Sequence, residues 1–143
     1  MSIEDRLADL GIDLPPVAKP VAAYVPAIQV GDQISTSGQL PLVSGSLPMT
    51  GLVGDQISQG DAAGQARVAA LNALAAAADV AGGVNNIRRV VRVVVYVAST
   101  ADFTAQPAVA NGASELFGEI FGDAGRHIRS AIGVASLPLG APV

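Results

Sequence analysis

The chain contains no cysteine and no tryptophan, and His127 is its single histidine. Without cysteine there is no disulfide, no thiol nucleophile and no zinc site built on thiolates. A single histidine also excludes a pair of histidine ligands within one chain, so a three-histidine metal site would need symmetry-related copies. We therefore expect no metal centre in this protein.

Charge is scarce, since only 14% of the 143 residues are charged, and the formal net charge is −4. Proteins that bind nucleic acids usually carry an excess of basic residues, because neutralising phosphates supplies much of their affinity. The acidic balance therefore speaks against a nucleic-acid partner. Hydrophobic residues make up 50% of the chain, which leaves little charge to cover the surface of a monomer and favours an oligomer.

Long apolar runs are absent as well. The longest, residues 90–98, is interrupted by Arg92 and is far too short to span a bilayer. The N-terminal stretch MSIEDRLADLG is charged and lacks the apolar core of a signal peptide. We expect a cytoplasmic protein with no membrane contact, and a single domain over residues 1–143.

The hydrophobic periodicity predicts an α+β domain with the order β-β-α-β-α-β, in which the helices pack on one face of a mixed sheet. An additional short helix and a proline-rich tether are expected before this unit, within residues 1–20. The predicted segments are a helix at 2–10, two strands within 27–40 around a Gly31-Asp32 turn, a helix at 58–80, a strand at 87–99, a helix at 107–121 and a strand at 127–134.

The segment GRHIRSAIGV, residues 125–134, carries the single histidine, His127, and Arg129 at alternate positions of a short apolar strand. Residues two apart on a strand share a face. One face comprises His127, Arg129, Ala131 and Gly133. The other face is expected to point into the core and comprises Ile128, Ser130, Ile132 and Val134. An arginine over two small residues suits bidentate capture of a carboxylate or phosphate.

Two other interpretations of this strand stay open. Arg129 could instead pair with an acidic residue across a subunit boundary, since buried charges are usually paired. His127, near the start of the strand, fits a surface or hydrogen-bonding residue better than a catalyst.

Four segments stand out in order along the chain: the segment of Tyr24, the run Ser37-Gly38-Gln39-Leu40-Pro41, Asn111 on the second long helix, and the pair Arg129-Ser130. Together they resemble the RidA family, also called YjgF or endoribonuclease L-PSP. The resemblance covers nearly the whole chain. It implies a chorismate-mutase-like fold and a homotrimer with three clefts between subunits.

In RidA proteins these clefts hydrolyse reactive enamines and imines to 2-keto acids and ammonia, without a metal or organic cofactor. The resemblance implies that Arg129 binds the substrate carboxylate and that Tyr24 forms a wall of the cleft. Ser37, Gly38 and Asn111 would surround the bound acid, with Asn111 and Ser37 joining Arg129 as the predicted catalytic residues.

The chain departs from the family pattern at several positions. RidA proteins often carry a cysteine and a glutamate after the arginine, where this sequence has Ala131 and Gly133. The family's last strand, with a glutamate thought to position the water, is expected beyond Val143, where the sequence ends. Glu115 and His127 are the nearby candidates for that role. These departures and the N-terminal helix indicate a branch distinct from archetypal RidA.

The leading prediction for function is therefore a hydrolase similar to the 2-iminobutanoate and 2-iminopropanoate deaminases. A non-catalytic trimer that binds a small carboxylate or another anion is the main alternative, which an absent water-positioning group would favour. An endoribonuclease is disfavoured, because RNA cleavage commonly needs a general acid and a general base beside the phosphate, and this chain offers one histidine and an acidic surface.

Overall fold

A computed structural model describes residues 1–20 and 22–143 of the chain. Within these residues three α-helices and four β-strands follow one another, and after the first helix their order is β-β-α-β-α-β, which confirms the predicted α+β class. The helices are α1 (Ile3–Asp9), α2 (Gln59–Ala81) and α3 (Gln106–Phe121), and the strands are β1 (Ala27–Val30), β2 (Gln33–Thr36), β3 (Arg92–Ala98) and β4 (Ile128–Val134).

Serine side chains cap the N-termini of α1 and α2. The Ser2 hydroxyl accepts a hydrogen bond from the Asp5 N–H at 3.0 Å, and the Ser2 N–H donates to the Asp5 carboxylate at 3.1 Å. Hydrogen bonding from Ser2, first of all from its backbone N–H, holds the pKa of the Asp5 carboxyl below its usual range. Ser58 caps α2 by accepting from the Asp61 N–H at 3.1 Å, and Gly82 ends this helix with a left-handed φ of 79°.

The N-terminal helix docks on the body of the protein through polar contacts. The Arg6 Nε donates to the carbonyl oxygen of Glu119 on α3 at 2.8 Å, and the Glu4 N–H donates to Asn85 Oδ1 at 3.0 Å. The proline-rich segment 13–20 contains no helix, as predicted. No helix in the part of the chain that the structure describes is long and apolar enough to cross a membrane.

The core lies between α2, α3 and one face of β3. Val97, Val109 and Leu116 are completely enclosed there. A Cβ atom placed on Gly112 of α3 would collide with the backbone carbonyl of Ala63 on α2. The two helices therefore approach each other more closely than any side chain at residue 112 would permit.

The strands form two separate two-stranded sheets where the sequence predicted one mixed sheet. β1 and β2 are antiparallel and pack on α2, while β3 and β4 are parallel and pack under α3. The Asn72 side chain of α2 donates to the carbonyl oxygens of Leu40 and Leu42 at 2.9 and 3.1 Å. These carbonyls after β2 are therefore bonded to a helix instead of to a neighbouring strand.

The β3 strand is shorter than predicted, because it begins at Arg92 and not at Ile87. The Val90 N–H donates to the carbonyl oxygen of Ala124 at 2.9 Å. This bond holds the segment before β3 against the turn before β4. Val91, in the segment before the strand, is 54% exposed.

The two faces of β4 are reversed relative to the prediction. Register pairs Ala131 with the buried Val95 of β3, so the face that carries Ala131 and Arg129 is the one that α3 covers. Ile128 and Ile132, expected in the core, are 67% and 45% exposed. The physical reason is size, since the small Ala131 side chain lets α3 approach this face and pack on it.

Candidate functional site

Arg129 directs its guanidinium from β4 towards α3. Its Nη1 donates to Asn111 Oδ1 at 2.8 Å and to Ser114 Oγ at 3.1 Å. Asn111 and Ser114 are three residues apart, so they lie on the same face of the helix. A guanidinium has five N–H groups, and the two on Nη1 are used by these bonds. In the described chain no acceptor bonds to Nε or Nη2, which leaves that edge for a ligand.

Arg129 has no acidic partner among the described residues. The ion pairs there are Arg67–Glu119 at 3.0 Å and Arg126–Asp123 at 4.0 Å. The alternative interpretation, in which an acidic residue neutralises Arg129, is therefore not realised within one chain. It stays a prediction about a neighbouring copy.

His127 lies immediately before β4, and hydrogen bonds fix the orientation of its ring. Its Nδ1 is 2.7 Å from the carbonyl oxygen of Gly125, and its Nε2 is 2.9 Å from Ser114 Oγ. A carbonyl can only accept, so Nδ1 carries the proton, and in the neutral ring Nε2 accepts from the Ser114 hydroxyl. The ring also meets Phe117 edge to face, with 6.0 Å between the ring centroids. His127 is thus the hydrogen-bonding residue that one interpretation of the strand predicted.

A hollow of about 430 Å³ opens beside these side chains, a size that suits a small ligand. Gly118 provides room, because a Cβ there would meet no atom within 4 Å, whereas a Cβ at Gly125 would collide with the carbonyl of Phe117, so Gly125 lets the turn before β4 pack directly against α3. The residues that line the hollow are Ser114, Gly118, Gly125, Arg126, His127 and Arg129.

The room beside the arginine does not come from the two small strand residues that the sequence suggested. At Gly133 a Cβ would lie 2.8 Å from Gln106 Nε2 and 2.9 Å from Ser99 Oγ, so polar side chains already occupy that space. Ala131 packs against the core. The sequence correctly predicted open space beside Arg129, but it attributed that space to the wrong residues.

The other predicted site residues divide into two groups. Asn111 contacts Arg129 directly, whereas Glu115, on the same helix, is exposed and does not line the hollow. Tyr24, Ser37 and Gly38 lie at the β1–β2 sheet.

Ser37 is bonded locally at the β1–β2 sheet, donating from Oγ to the Val25 carbonyl oxygen at 2.6 Å, and the Tyr24 side chain is 55% exposed. No hydrogen bond in the described chain joins Tyr24, Ser37 or Gly38 to Arg129. Their assignment to the same cleft stays a prediction that requires contact between copies.

Ser114 is the site residue that the sequence interpretation did not single out. It contacts both Arg129 and His127. The available signal was its spacing, because a residue three positions after Asn111 on a helix must share its face. A lone serine within an apolar helix gives no other indication of a role.

Comparison with known proteins gives a consistent result. The family model described as "YjgF/chorismate mutase-like, putative endoribonuclease" matches residues 4–142. Protein TCP17 of Trypanosoma cruzi is 41% identical over 139 residues, which cover 96% of this chain and 87% of that protein. A crystal structure described as a putative endoribonuclease from Shewanella oneidensis has a TM-score of 0.94 at 33% identity, covering 99% of this chain and 94% of that one.

The crystal structure of the E. coli YjgF gene product is less similar. Its TM-score is 0.61 at 27% identity, with 90% of this chain and 87% of that chain covered. The chain is therefore nearer to the Trypanosoma and Shewanella proteins than to this YjgF protein. That pattern agrees with the distinct branch predicted from the sequence.

Proposed function

Because this chain belongs to the YjgF/chorismate mutase-like family, we propose that it is an enamine and imine deaminase that hydrolyses reactive 2-imino acids to 2-keto acids and ammonia. The observation that carries the proposal is the unoccupied Nε–Nη2 edge of Arg129 beside a hollow of about 430 Å³. Two parallel N–H groups on one edge of a guanidinium match the two oxygens of a carboxylate.

The geometry supports the proposed chemistry through orientation. A 2-imino acid carries its carboxylate on the carbon next to the C=N bond, so a carboxylate held by Arg129 places the reacting carbon in the hollow. That carbon is already electrophilic. The site therefore needs mainly to hold the substrate and one water in line, and such positioning alone contributes a large part of a rate enhancement. Asn111 serves this by fixing Nη1 of the guanidinium.

A homotrimer is part of the proposal. The face of the β3–β4 sheet that α3 does not cover exposes several apolar side chains, and contiguous apolar surface usually marks a contact between proteins. These side chains are Val94, Tyr96, Ile128 and Ile132. Contact between copies would also supply Tyr24, Ser37 and Gly38 to the cleft.

The proposed assembly gives a direct expectation for mass in solution. Light scattering should return three times the mass of one chain, and Ile132→Glu on the exposed sheet face should shift the protein towards monomers, because a buried charge without a partner is costly. Val80→Glu, which adds the same charge at an exposed apolar residue of α2, is the control. A wild-type mass of one chain would contradict the trimer.

The activity itself is tested with freshly generated 2-iminopropionate. We expect the wild-type protein to form pyruvate faster than the uncatalysed reaction, with the rate proportional to the protein concentration. Pyruvate is measured continuously, and binding of pyruvate to the protein is measured separately. A rate equal to the uncatalysed one would contradict the deaminase proposal.

One observation favours a second candidate, a trimer that binds a small carboxylate without catalysis. Among the described residues, none of those that line the hollow is acidic, so no carboxylate is there to act on a water molecule. Binding of pyruvate without turnover of 2-iminopropionate would support this candidate. The ribonuclease activity named in the family description is not part of the proposal, because the same hollow offers one imidazole as its only general acid or base.

A further inference from the structure

The proposed reaction requires proton transfer, and few of the residues that line the hollow can provide it. Water that adds to the imine carbon must lose a proton, and the nitrogen must gain one before it leaves as ammonia. Arg126 and Arg129 stay protonated in proteins, and the two glycines have no side chain. Ser114 and His127 are the lining residues that can exchange a proton.

The hydrogen bonds of Ser114 and His127 have a defined direction. The Gly125 carbonyl keeps the His127 proton on Nδ1, so the ring presents an unprotonated Nε2 to the Ser114 hydroxyl at 2.9 Å. Arg129 Nη1 donates to one lone pair of Ser114 Oγ at 3.1 Å. A hydroxyl oxygen has a second lone pair, and that pair can accept from a water molecule in the hollow.

From this arrangement we infer that Ser114 and His127 form a proton relay for the hydrolytic water, an inference that rests on the proposed deaminase function. The water oxygen bonds to the carbon of the protonated imine, and the C=N electron pair moves to nitrogen. One water proton passes to Ser114 Oγ while the Ser114 hydroxyl proton passes to His127 Nε2. The positive guanidinium of Arg129 stabilises the negative charge that develops on Ser114 Oγ.

The second half of the reaction uses the same path in reverse. The imidazolium returns its proton through Ser114 to the amino group of the carbinolamine. The C–N bond then breaks, its electron pair leaves with ammonia, and the remaining hydroxyl proton is taken up by the relay as the C=O bond forms. Water is the only co-reactant. The ammonia takes one hydrogen of the water, and the other, left on the relay, passes to the departing ammonia to give ammonium and returns His127 to its neutral form.

The charged surroundings of His127 are simple. Arg126 and Arg129 line the same hollow, and Asp123 lies 4.0 Å from Arg126 Nε. On the α3 side the ring meets Ser114 and Phe117. No carboxylate of the described residues contacts the ring, so the ring has no anionic partner among them.

The test compares variants that separate proton transfer from structure. His127→Gln places an amide oxygen near the position of Nε2, where it can accept from Ser114 but cannot take up a proton. We expect kcat for 2-iminopropionate to fall about a hundredfold, while the Kd for pyruvate changes by less than about threefold, the pattern of an interaction used in the transition state. Ser114→Ala should show the same fall in kcat. Ser114→Thr keeps a hydroxyl, so its kcat should stay close to that of the wild type.

The pH profile gives a readout that a structural role would not change. Wild-type kcat should fall on the acidic side as the imidazole becomes protonated, and His127→Gln should lack that limb. Ser136→Ala, at an exposed serine after β4, should behave as wild type. His127→Gln with wild-type kcat and an unchanged acidic limb would overturn the relay while leaving the deaminase in place. A wild-type protein without activity would overturn the deaminase and the relay together.

Nitrogen NMR tests the direction of the relay without any variant. His127 is the single histidine, so its ring signals need no assignment. We expect the neutral ring to carry its proton on Nδ1. A neutral ring protonated on Nε2 would remove the acceptor that the relay needs, and would overturn the inference.

Discussion

Arg129→Ala is expected to weaken the binding of pyruvate by about tenfold to a hundredfold, which corresponds to the roughly 1.5–3 kcal/mol that hydrogen bonds to a charged group contribute. The reason is that the Nε–Nη2 edge of Arg129 is the proposed receptor for the carboxylate, and the remaining cation of the hollow, Arg126, already lies near Asp123. Catalysis of 2-iminopropionate hydrolysis should be lost with binding. Calorimetric titration with pyruvate measures the effect.

Two further variants separate charge from geometry at this position. Arg129→Lys keeps the positive charge but lacks the planar fork that binds both carboxylate oxygens, so it should recover only a small part of the affinity. Arg88→Ala removes an arginine from an exposed segment before β3 and should bind pyruvate as the wild type does. Pyruvate binding to Arg129→Ala with wild-type affinity would show that the carboxylate is held elsewhere.

Gly112→Ala is expected to lower the free energy of unfolding by about 3 kcal/mol or more, at the upper end of what overpacking costs. The new Cβ would collide with the backbone carbonyl of Ala63. A backbone carbonyl cannot rotate away as a side chain can, so α2 and α3 would have to separate and loosen the core around Val109 and Leu116. Urea unfolding followed by circular dichroism gives the free energy.

The matched control for this change is on the same helix. A Cβ at Gly118 has no atom within 4 Å, so Gly118→Ala should raise the free energy of unfolding by roughly 0.5–1 kcal/mol, the amount by which alanine exceeds glycine inside a helix. Equal effects of the two substitutions would contradict the close approach of α2 and α3 at residue 112.

The features that the sequence predicts well are those set by neighbouring residues. Ser2 and Ser58 mark helix starts, because a side-chain cap needs only the backbone of the first turn. Gly82 marks a helix end for the same local reason. The core residues of α3, such as Val109 and Leu116, recur at helical spacing and are buried as that spacing requires.

The features that the sequence does not predict depend on what lies across from a segment. Alternation shows that Arg129 and Ala131 share a face of β4, but not which face a helix covers. Both faces mix apolar and polar residues, and the size of Ala131 decided the outcome. The pairing of strands is equally non-local, because each strand bonds to residues that are distant in the sequence, as β3 does to β4.

The candidate site likewise contains residues that the sequence predicts and residues that it does not. Arg129 and Asn111 were predicted, and the fold brings them together at 2.8 Å. Ser114 was missed because its importance comes from two partners that are 13 and 15 residues away in the chain. The roles of Tyr24 and Ser37 depend on contact between copies, which a single chain does not contain.

The central claim is that the Nε–Nη2 edge of Arg129 receives the carboxylate of a small acid, and a crystal structure of the protein with pyruvate tests it most directly. The account predicts both carboxylate oxygens on Nε and Nη2 of Arg129, with the bonds from Nη1 to Asn111 and Ser114 retained and the keto carbon facing Ser114. Arg129 paired with an acidic side chain of a neighbouring copy, and pyruvate bound elsewhere, would contradict it.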